Sequence, residues 1–241
     1  MAHNLDTAPM DAATYFGEPH TRQRSWLEIC RDPLLLDAIE SLIGPNIVLV
    51  YSSFFVKPAD GLDANGNEAQ VAWHQDNNYW AAVHGTEGVI TVWLAVDDAD
   101  VANGTMKLLP GTHRPYVDLD SGQAPPGSIV SRQVDVEPEL EATAVPLILP
   151  AGSVSIHDSY LLHGSGYNRS GRRRAAYTIR YLAADKGHVD VSAHPVPAYI
   201  VRGCPAASGG GYIDARPGTP LPRLFTSTEE YQAYANRNSK L

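Results

Sequence analysis

Two stretches of this chain alternate with a period of two, and that periodicity constrains the fold more than any other feature. Gly88 to Val96 sets Ile90, Val92, Leu94 and Val96 on one face and Thr91, Trp93 and Ala95 on the other. Arg174 to Leu182 sets Arg174, Ala176, Thr178 and Arg180 against Ala175, Tyr177, Ile179 and Tyr181. Side chains of a strand point to opposite faces in turn, so both stretches predict strands. Asn46 to Lys57, rich in β-branched and aromatic residues, predicts a third. Shorter strands are expected at Thr105 to Leu109, Val145 to Leu149 and Ser153 to His157, with turns at Pro58 to Asn67, Asp97 to Asp100 and Pro150-Ala151-Gly152. One amphipathic helix is expected where Asp32-Pro33 precedes Leu34, Leu35, Leu36, Ile39, Leu42 and Ile43, ending at Gly44-Pro45. Many short strands and little helix predict a mainly β protein, an antiparallel barrel or jelly roll with a few helices packed outside.

The chain has 241 residues, 44% of them hydrophobic, enough to bury a sizeable core. It reads as one domain over 1–241, with a core at about 46–182 and a C-terminal extension at 183–241 that carries Ser208-Gly209-Gly210-Gly211. The polar, Gly- and Pro-rich stretch 110–144 is longer than an ordinary connection and predicts a flap over a pocket. A formal charge of -9 disfavours nucleic acid as a partner, and Arg172-Arg173-Arg174 is too short a basic run to reverse that. Two cysteines, Cys30 and Cys204, make no disulfide framework. The first fifteen residues hold no apolar stretch of signal length, and no run of about 18 apolar residues occurs, so a cytoplasmic protein without membrane contact is expected, as monomer or homodimer.

Against this background stands His74-Gln75-Asp76, with His163 following 87 positions after Asp76 in Leu-Leu-His-Gly-Ser-Gly. An imidazole and a carboxylate two apart on an extended segment point to the same side. A second imidazole from a later strand completes a three-donor face. Two histidines and one carboxylate bound facially leave three open positions on an octahedral metal, the arrangement of non-haem Fe(II) oxygenases.

Several blocks then occur in one order: Trp73-His74-Gln75-Asp76, Thr91 to Asp98, Asn103-Gly104-Thr105-Met106, Leu109-Pro110-Gly111-Thr112-His113 and His163 to Ser170. Together the series resembles the phytanoyl-CoA dioxygenase family over roughly residues 46–182. The resemblance implies a double-stranded β-helix, cupin-like, that uses Fe(II), dioxygen and 2-oxoglutarate on a small-molecule substrate. It makes His74, Asp76 and His163 the metal ligands and catalytic centre. It makes Arg174, eleven positions after His163, the group that grips the distal carboxylate of 2-oxoglutarate. A guanidinium holds a carboxylate through two parallel hydrogen bonds, which a lysine cannot do. Ser165, Gln75 and Trp93 fall where the family contacts or packs against the co-substrate. Halogenating relatives carry a small residue at the carboxylate position, so Asp76 points to oxygenation. The stretch before the Leu34 helix is short for the family, and the expectation is that the 110–144 excursion and the Gly-rich tail close a more open site.

Each of these residues has a plainer reading. A lone His-x-Asp arises by chance, and only the later His163 and Arg174 give the pair its meaning. His157, six residues before His163, could be mistaken for the distal ligand; a supporting or structural place is expected for it. His113 reads as a turn histidine and His84 as solvent-facing or a substrate contact. Trp73, Tyr79 and Trp80 serve either a cavity or the core, and Arg172 shares strand parity with Arg174 and is the alternative grip. A strong preference for Arg over Lys and abundant Ala suggest a GC-rich bacterial source and a natural-product intermediate, glycosylated or polyketide-like, as substrate. Fatty acyl-CoA fits less well without a basic surface. The competing classes are a cupin-like metal-dependent isomerase or lyase and a non-catalytic binding domain.

Overall fold

The computed structural model describes residues 18–63, 66–79, 88–116, 118–186, 197–204, 212–226, 230 and 233. His84, Trp80 and the glycine run 209–211 lie outside them.

A single helical turn at Pro19–Thr21 precedes α1 (Arg24–Cys30) and α2 (Pro33–Ile43). The second helix starts as its sequence predicts. Asp32 accepts from the backbone N–H groups of Leu34 and Leu35 at 2.9 and 3.2 Å, Pro33 takes the first turn, and Gly44 leaves it at φ 92°. α1 has no side-chain cap and was not expected from the sequence.

The strands are β1 (Ile47–Lys57), β2 (Val71–His74), β3 (Val89–Ala95), β4 (Lys107–Leu108), β5 (Gly122–Gln123), β6 (Arg132–Gln133), β7 (Val145–Pro146), β8 (Val154–Asp158), β9 (His163–Ser165), β10 (Arg174–Ala183), β11 (Tyr199–Arg202) and β12 (Ile213–Asp214). A four-residue helix, α3 (Pro138–Glu141), lies between β6 and β7. Six strands hydrogen-bond in the order β12-β11-β1-β10-β3-β8, four in the order β2-β9-β4-β7, and β5 pairs with β6. The protein is therefore mainly β. The three long strands β1, β3 and β10 are those the sequence marks most clearly, whereas β7 is only two residues of the expected Val145 to Leu149.

Chain contacts resolve two compact units, with breaks inside β1 and β10 and just after residue 91 in β3. The first includes Ser53–Tyr79 and Val92–Thr178. Its core sets Trp93, Ala95 and Ala176 from the larger sheet against Met106 beside β4, with Leu108 and Leu147 packed on them. A second cluster of Leu109, Val134 and Leu162 carries Trp73. Burial of such side chains contributes about 1.5–3 kcal/mol each. The excursion at 110–144 belongs to this unit and runs beside the His74 strand. Val134 donates its N–H to the carbonyl of Trp73 at 2.7 Å, and Gln70 bridges Ser128.

The second unit holds α1, α2 and the strands after Thr178. Its core is Val48, Val50, Val89, Leu182, Ala184 and Ala198. β11 pairs antiparallel with β1, Val48 opposite Ile200, and β12 adds to β11 in parallel. Arg202 ties β11 to α2 through Asp37 and Glu40, each at 2.7 Å.

Candidate metal and co-substrate site

The site is assembled in the first unit from the ends of β2 and β9. These strands pair antiparallel with His74 opposite His163, so one register brings both imidazoles together, ring centroids 4.1 Å apart. Asp76 follows two residues after His74. Its Oδ1 lies 3.8 Å from Nε2 of His74 and 3.8 Å from Nε2 of His163. The three donor atoms lie within 4.8 Å of one another and all three residues are buried.

Each histidine is oriented by the same local device. Nδ1 of His74 meets the carbonyl of Ala72 at 2.8 Å, and Nδ1 of His163 meets the carbonyl of Leu161 at 2.8 Å. With the proton on Nδ1 and donated to a carbonyl, Nε2 is left as a lone-pair donor facing Asp76. Burial, then the neighbouring His74, holds the His163 imidazole well below the usual range, against the opposing pull of Asp76, so it stays neutral. Two imidazoles with Nε2 turned inward and a carboxylate within one small sphere fit a divalent cation.

Arg174 opens β10 and is 2% exposed, while the adjacent arginines turn outward to ion pairs. Arg172 meets Asp100 at 2.6 Å on the surface, and Arg173 grips Asp97 with two bonds of 2.8 Å. The alternative grip, Arg172, is thus placed outside. The guanidinium of Arg174 donates to the carbonyls of Phe55 and Gly104 at 3.2 and 3.1 Å and lies 5.7 Å from the Trp93 ring. Gly104 sits at φ 71°, and a Cβ there would meet the carbonyl oxygens of Gly166 and Tyr167, each at 2.8 Å, so the close approach requires glycine. Nε of Arg174 and Oγ of Ser165 are buried and have no hydrogen-bond partner. Burial lowers Arg174 to about 10, which leaves it cationic at neutral pH. A buried cation with an unfilled donor fits one carboxylate of an organic diacid.

The other expected residues divide. Trp93 lies in the barrel core and also against Arg174. Both ends of the Gln75 amide are taken by backbone: Nε2 donates to Tyr160 at 2.8 Å and Oε1 accepts from Leu119 at 2.9 Å. The side chain thus braces the excursion beside Asp76. His157 on β8 is buried, its Nε2 3.7 Å from Oδ2 of Asp76. Half-buried Trp73 packs on the Leu109 cluster with the ammonium of Lys107 5.2 Å from its ring, and Tyr79 accepts from the N–H of Arg132 at 2.8 Å. His113 stands in a turn, its ring 6.2 Å from Tyr116.

One residue was not anticipated. Lys57, the last residue of β1, is fully buried, donates to the carbonyl of Gly166, and is lowered to about 6 by burial and then by Arg174 and Lys107. Neither Lys57 nor Arg174 has an ion-pair partner among the described residues. The signal was a lysine ending an apolar strand immediately before Pro58.

Comparison with known proteins gives the family. Residues 3–176 match the phytanoyl-CoA dioxygenase (PhyH) family, and the chain belongs to that family. It is 33% identical over 172 residues to a protein of Stutzerimonas stutzeri named a probable alpha-ketoglutarate-dependent hypophosphite dioxygenase, covering 69% of this chain and 56% of that protein. It is 26% identical over 163 residues to human peroxisomal phytanoyl-CoA dioxygenase, covering 67% and 47%. The chain thus spans about half the length of the curated relatives it matches. Among solved structures, the apo form of the non-heme monooxygenase ThoJ superposes with a TM-score of 0.70 at 24% identity, covering 99% of this chain and 86% of that one. EctD from S. alaskensis, solved with 2-oxoglutarate and 5-hydroxyectoine, gives 0.61 at 19% identity, covering 89% and 77%. These likenesses show the fold, the double-stranded β-helix.

Proposed function

We propose that this chain is a non-haem Fe(II)- and 2-oxoglutarate-dependent dioxygenase that oxidises a C–H bond of a small molecule, by hydroxylation, ring closure or desaturation. The observation that carries this reading is the convergence of His74, Asp76 and His163 with both histidines turned Nε2-inward by their own backbone. These three would hold the iron, and Arg174 with Ser165 would hold the distal carboxylate of 2-oxoglutarate. When bound, iron and co-substrate supply the activation of dioxygen, with decarboxylation to succinate and carbon dioxide, that C–H oxidation needs.

The protein's own residues orient and exclude. Hydrogen bonds from Nδ1 to backbone carbonyls fix both imidazole planes before any ligand arrives, so little ordering remains on binding. Arg174 pins one end of a dicarboxylate, so its other end has a single approach. The positive charge of Arg174 favours an anion where water would otherwise enter. No side-chain nucleophile is needed. Trp93 and the apolar cluster around it keep the guanidinium dry, which strengthens its grip.

The substrate we infer is a natural-product intermediate, glycosylated or polyketide-like. Arginine dominance over lysine and the absence of a basic stretch beyond Arg172-Arg173-Arg174 support it over an acyl-CoA. The same charge and the two cysteines support a cytoplasmic setting. No helix among the described residues is long and apolar enough to cross a membrane.

The test is an anaerobic titration of Fe(II) and 2-oxoglutarate, followed through the weak visible band of an iron-chelated keto acid. A band in the wild type that is lost in Asp76→Ala and weakened in Arg174→Ala supports the assignment. Succinate release is then screened against natural-product scaffolds, ectoine, hypophosphite and phytanoyl-CoA. Bound iron without a band would redirect the reading to a metal-dependent isomerase or lyase.

A further inference from the structure

The carboxylate of Asp76 is shared between two sets of groups. Its Oδ1 faces Nε2 of His74 and of His163, each at 3.8 Å. Its Oδ2 faces another imidazole, His157, whose Nε2 is 3.7 Å away. His157 is 4% exposed on β8, and its ring centroid lies 4.7 Å from that of His163. Both of its ring nitrogens are buried and neither has a hydrogen-bond partner. Buried polar atoms in a native protein are nearly always satisfied, so an imidazole left with neither nitrogen satisfied marks an arrangement that a ligand completes.

The geometry separates His157 from the donor set. His74, Asp76 and His163 each offer an atom within 4.8 Å of the other two, and His157 is outside that group. Unlike His74 and His163, it has no carbonyl on Nδ1 to turn its Nε2 into a lone-pair donor. Its Nε2 therefore suits an N–H donor, and Oδ2 of Asp76 is an acceptor 3.7 Å away.

We propose that His157 is a positioning residue whose Nε2–H, 3.7 Å from Oδ2 of Asp76 here, closes to a hydrogen bond with that oxygen when the site holds a cation. A cation drawn to Oδ1 would leave Oδ2 as the remaining acceptor, and the hydrogen bond would lock the carboxylate as a one-oxygen donor. A carboxylate free to rotate can instead chelate through both oxygens and occupy a position needed by co-substrate or dioxygen. This inference rests on the metal site proposed above and names the partner that sets its coordination.

The test uses Co(II) as an optical probe of the purified protein, with affinity measured by competition against a chelator. Three variants are compared with wild type: Asp76→Ala, His157→Phe, which keeps an aromatic ring without a donor, and His157→Gln, which restores an N–H. The expected result is a Co(II) affinity about 10- to 100-fold weaker for His157→Phe, recovered to within a few-fold by His157→Gln. Thermal melting of the metal-free proteins reports folding separately, and the phenylalanine variant should melt no lower than the glutamine variant. Wild-type affinity in His157→Phe, with Asp76→Ala still losing the metal, would overturn the role of His157 and leave the metal site standing. Three coordinated imidazoles by pulsed electron paramagnetic resonance of the wild type loaded with Cu(II) would make His157 a ligand and overturn it likewise. Absence of Co(II) binding by wild type would remove the metal site and this inference together.

Discussion

Each of the two units buries a histidine, yet only one builds a site around it. In the second unit, His20 is fully buried, its Nδ1 2.6 Å from the hydroxyl of Ser52 and its ring 5.3 Å from Tyr199. Desolvation alone lowers it to about 3. In the first unit, His163 is lowered by the same desolvation, but His74, His157 and Asp76 surround it. A depressed pKa is therefore common to a packing residue and to a residue of the candidate site. What separates them is convergence: one hydroxyl against one ring in the first case, three imidazoles on one carboxylate in the second.

The comparison breaks most decisively if Asp76 can be dispensed with. Asp76→Ala should abolish the anaerobic iron and 2-oxoglutarate band and all turnover, whereas His20→Asn should leave the band unchanged. Loss of the band in both variants would mean that the second unit supports the site and that convergence alone is too narrow a criterion.

Next in size is the contrast between neighbouring arginines. Arg174→Lys keeps the charge but replaces a two-pronged donor with a point charge. Losing one charge-assisted hydrogen bond costs about 1.5–3 kcal/mol, so the dissociation constant for 2-oxoglutarate should rise roughly 10- to 100-fold. Arg172→Lys, on a surface pair with Asp100, should leave that constant unchanged. Equilibrium titration of the visible band measures both, and equal effects would sink the assignment of Arg174.

A smaller effect is expected in the second unit. His20→Ala removes the Ser52 bond and leaves that hydroxyl buried, which should cost about 1–3 kcal/mol in urea unfolding without altering metal affinity.

How far these differences could be read beforehand depends on the range of the interaction. His74 and Asp76 stood out as a His-x-Asp spacing, although β2 ends at His74 and Asp76 lies in the turn beyond it, and His163 stood out by its Gly-Ser-Gly context. Arg174 was separable from Arg172 only by spacing, since both have the same strand parity; in the structure Arg174 is buried and Arg172 pairs with Asp100 on the surface. β11 and β12 were illegible because four and two residues carry no period. A supporting or structural place was expected for His157, but its approach to Asp76 in particular was hidden. It is set by where β8 passes Asp76, two residues beyond β2, and no local pattern encodes such a crossing. Gln75 was expected to contact or pack against the co-substrate, and its amide bonds with the backbone of Tyr160 and Leu119 are tertiary contacts that its neighbours in sequence do not encode.

Lys57 sharpens the comparison last, because it titrates in the first unit in a pH range where His20 does not. Burial and the charges of Arg174 and Lys107 lower its folded-state value to about 6, against 10.5 for the ordinary side chain. Between those values the unfolded chain binds a proton that the folded chain does not, so folding stability rises with pH through the window. The slope approaches 1.4 kcal/mol per pH unit for one proton. His20 and His163, lowered below the ordinary histidine value, have finished titrating in both states well before pH 8 and contribute little there. Urea unfolding of the metal-free protein between pH 7 and 9 should show this rise, and Lys57→Met should flatten it. A saturating dicarboxylate should flatten it too, because an anion beside Lys57 raises its value and restores the proton to the folded state. If the slope survives Lys57→Met, Lys57 is charged in the folded protein, and the interior cation of the first unit is as ordinary as the histidine of the second.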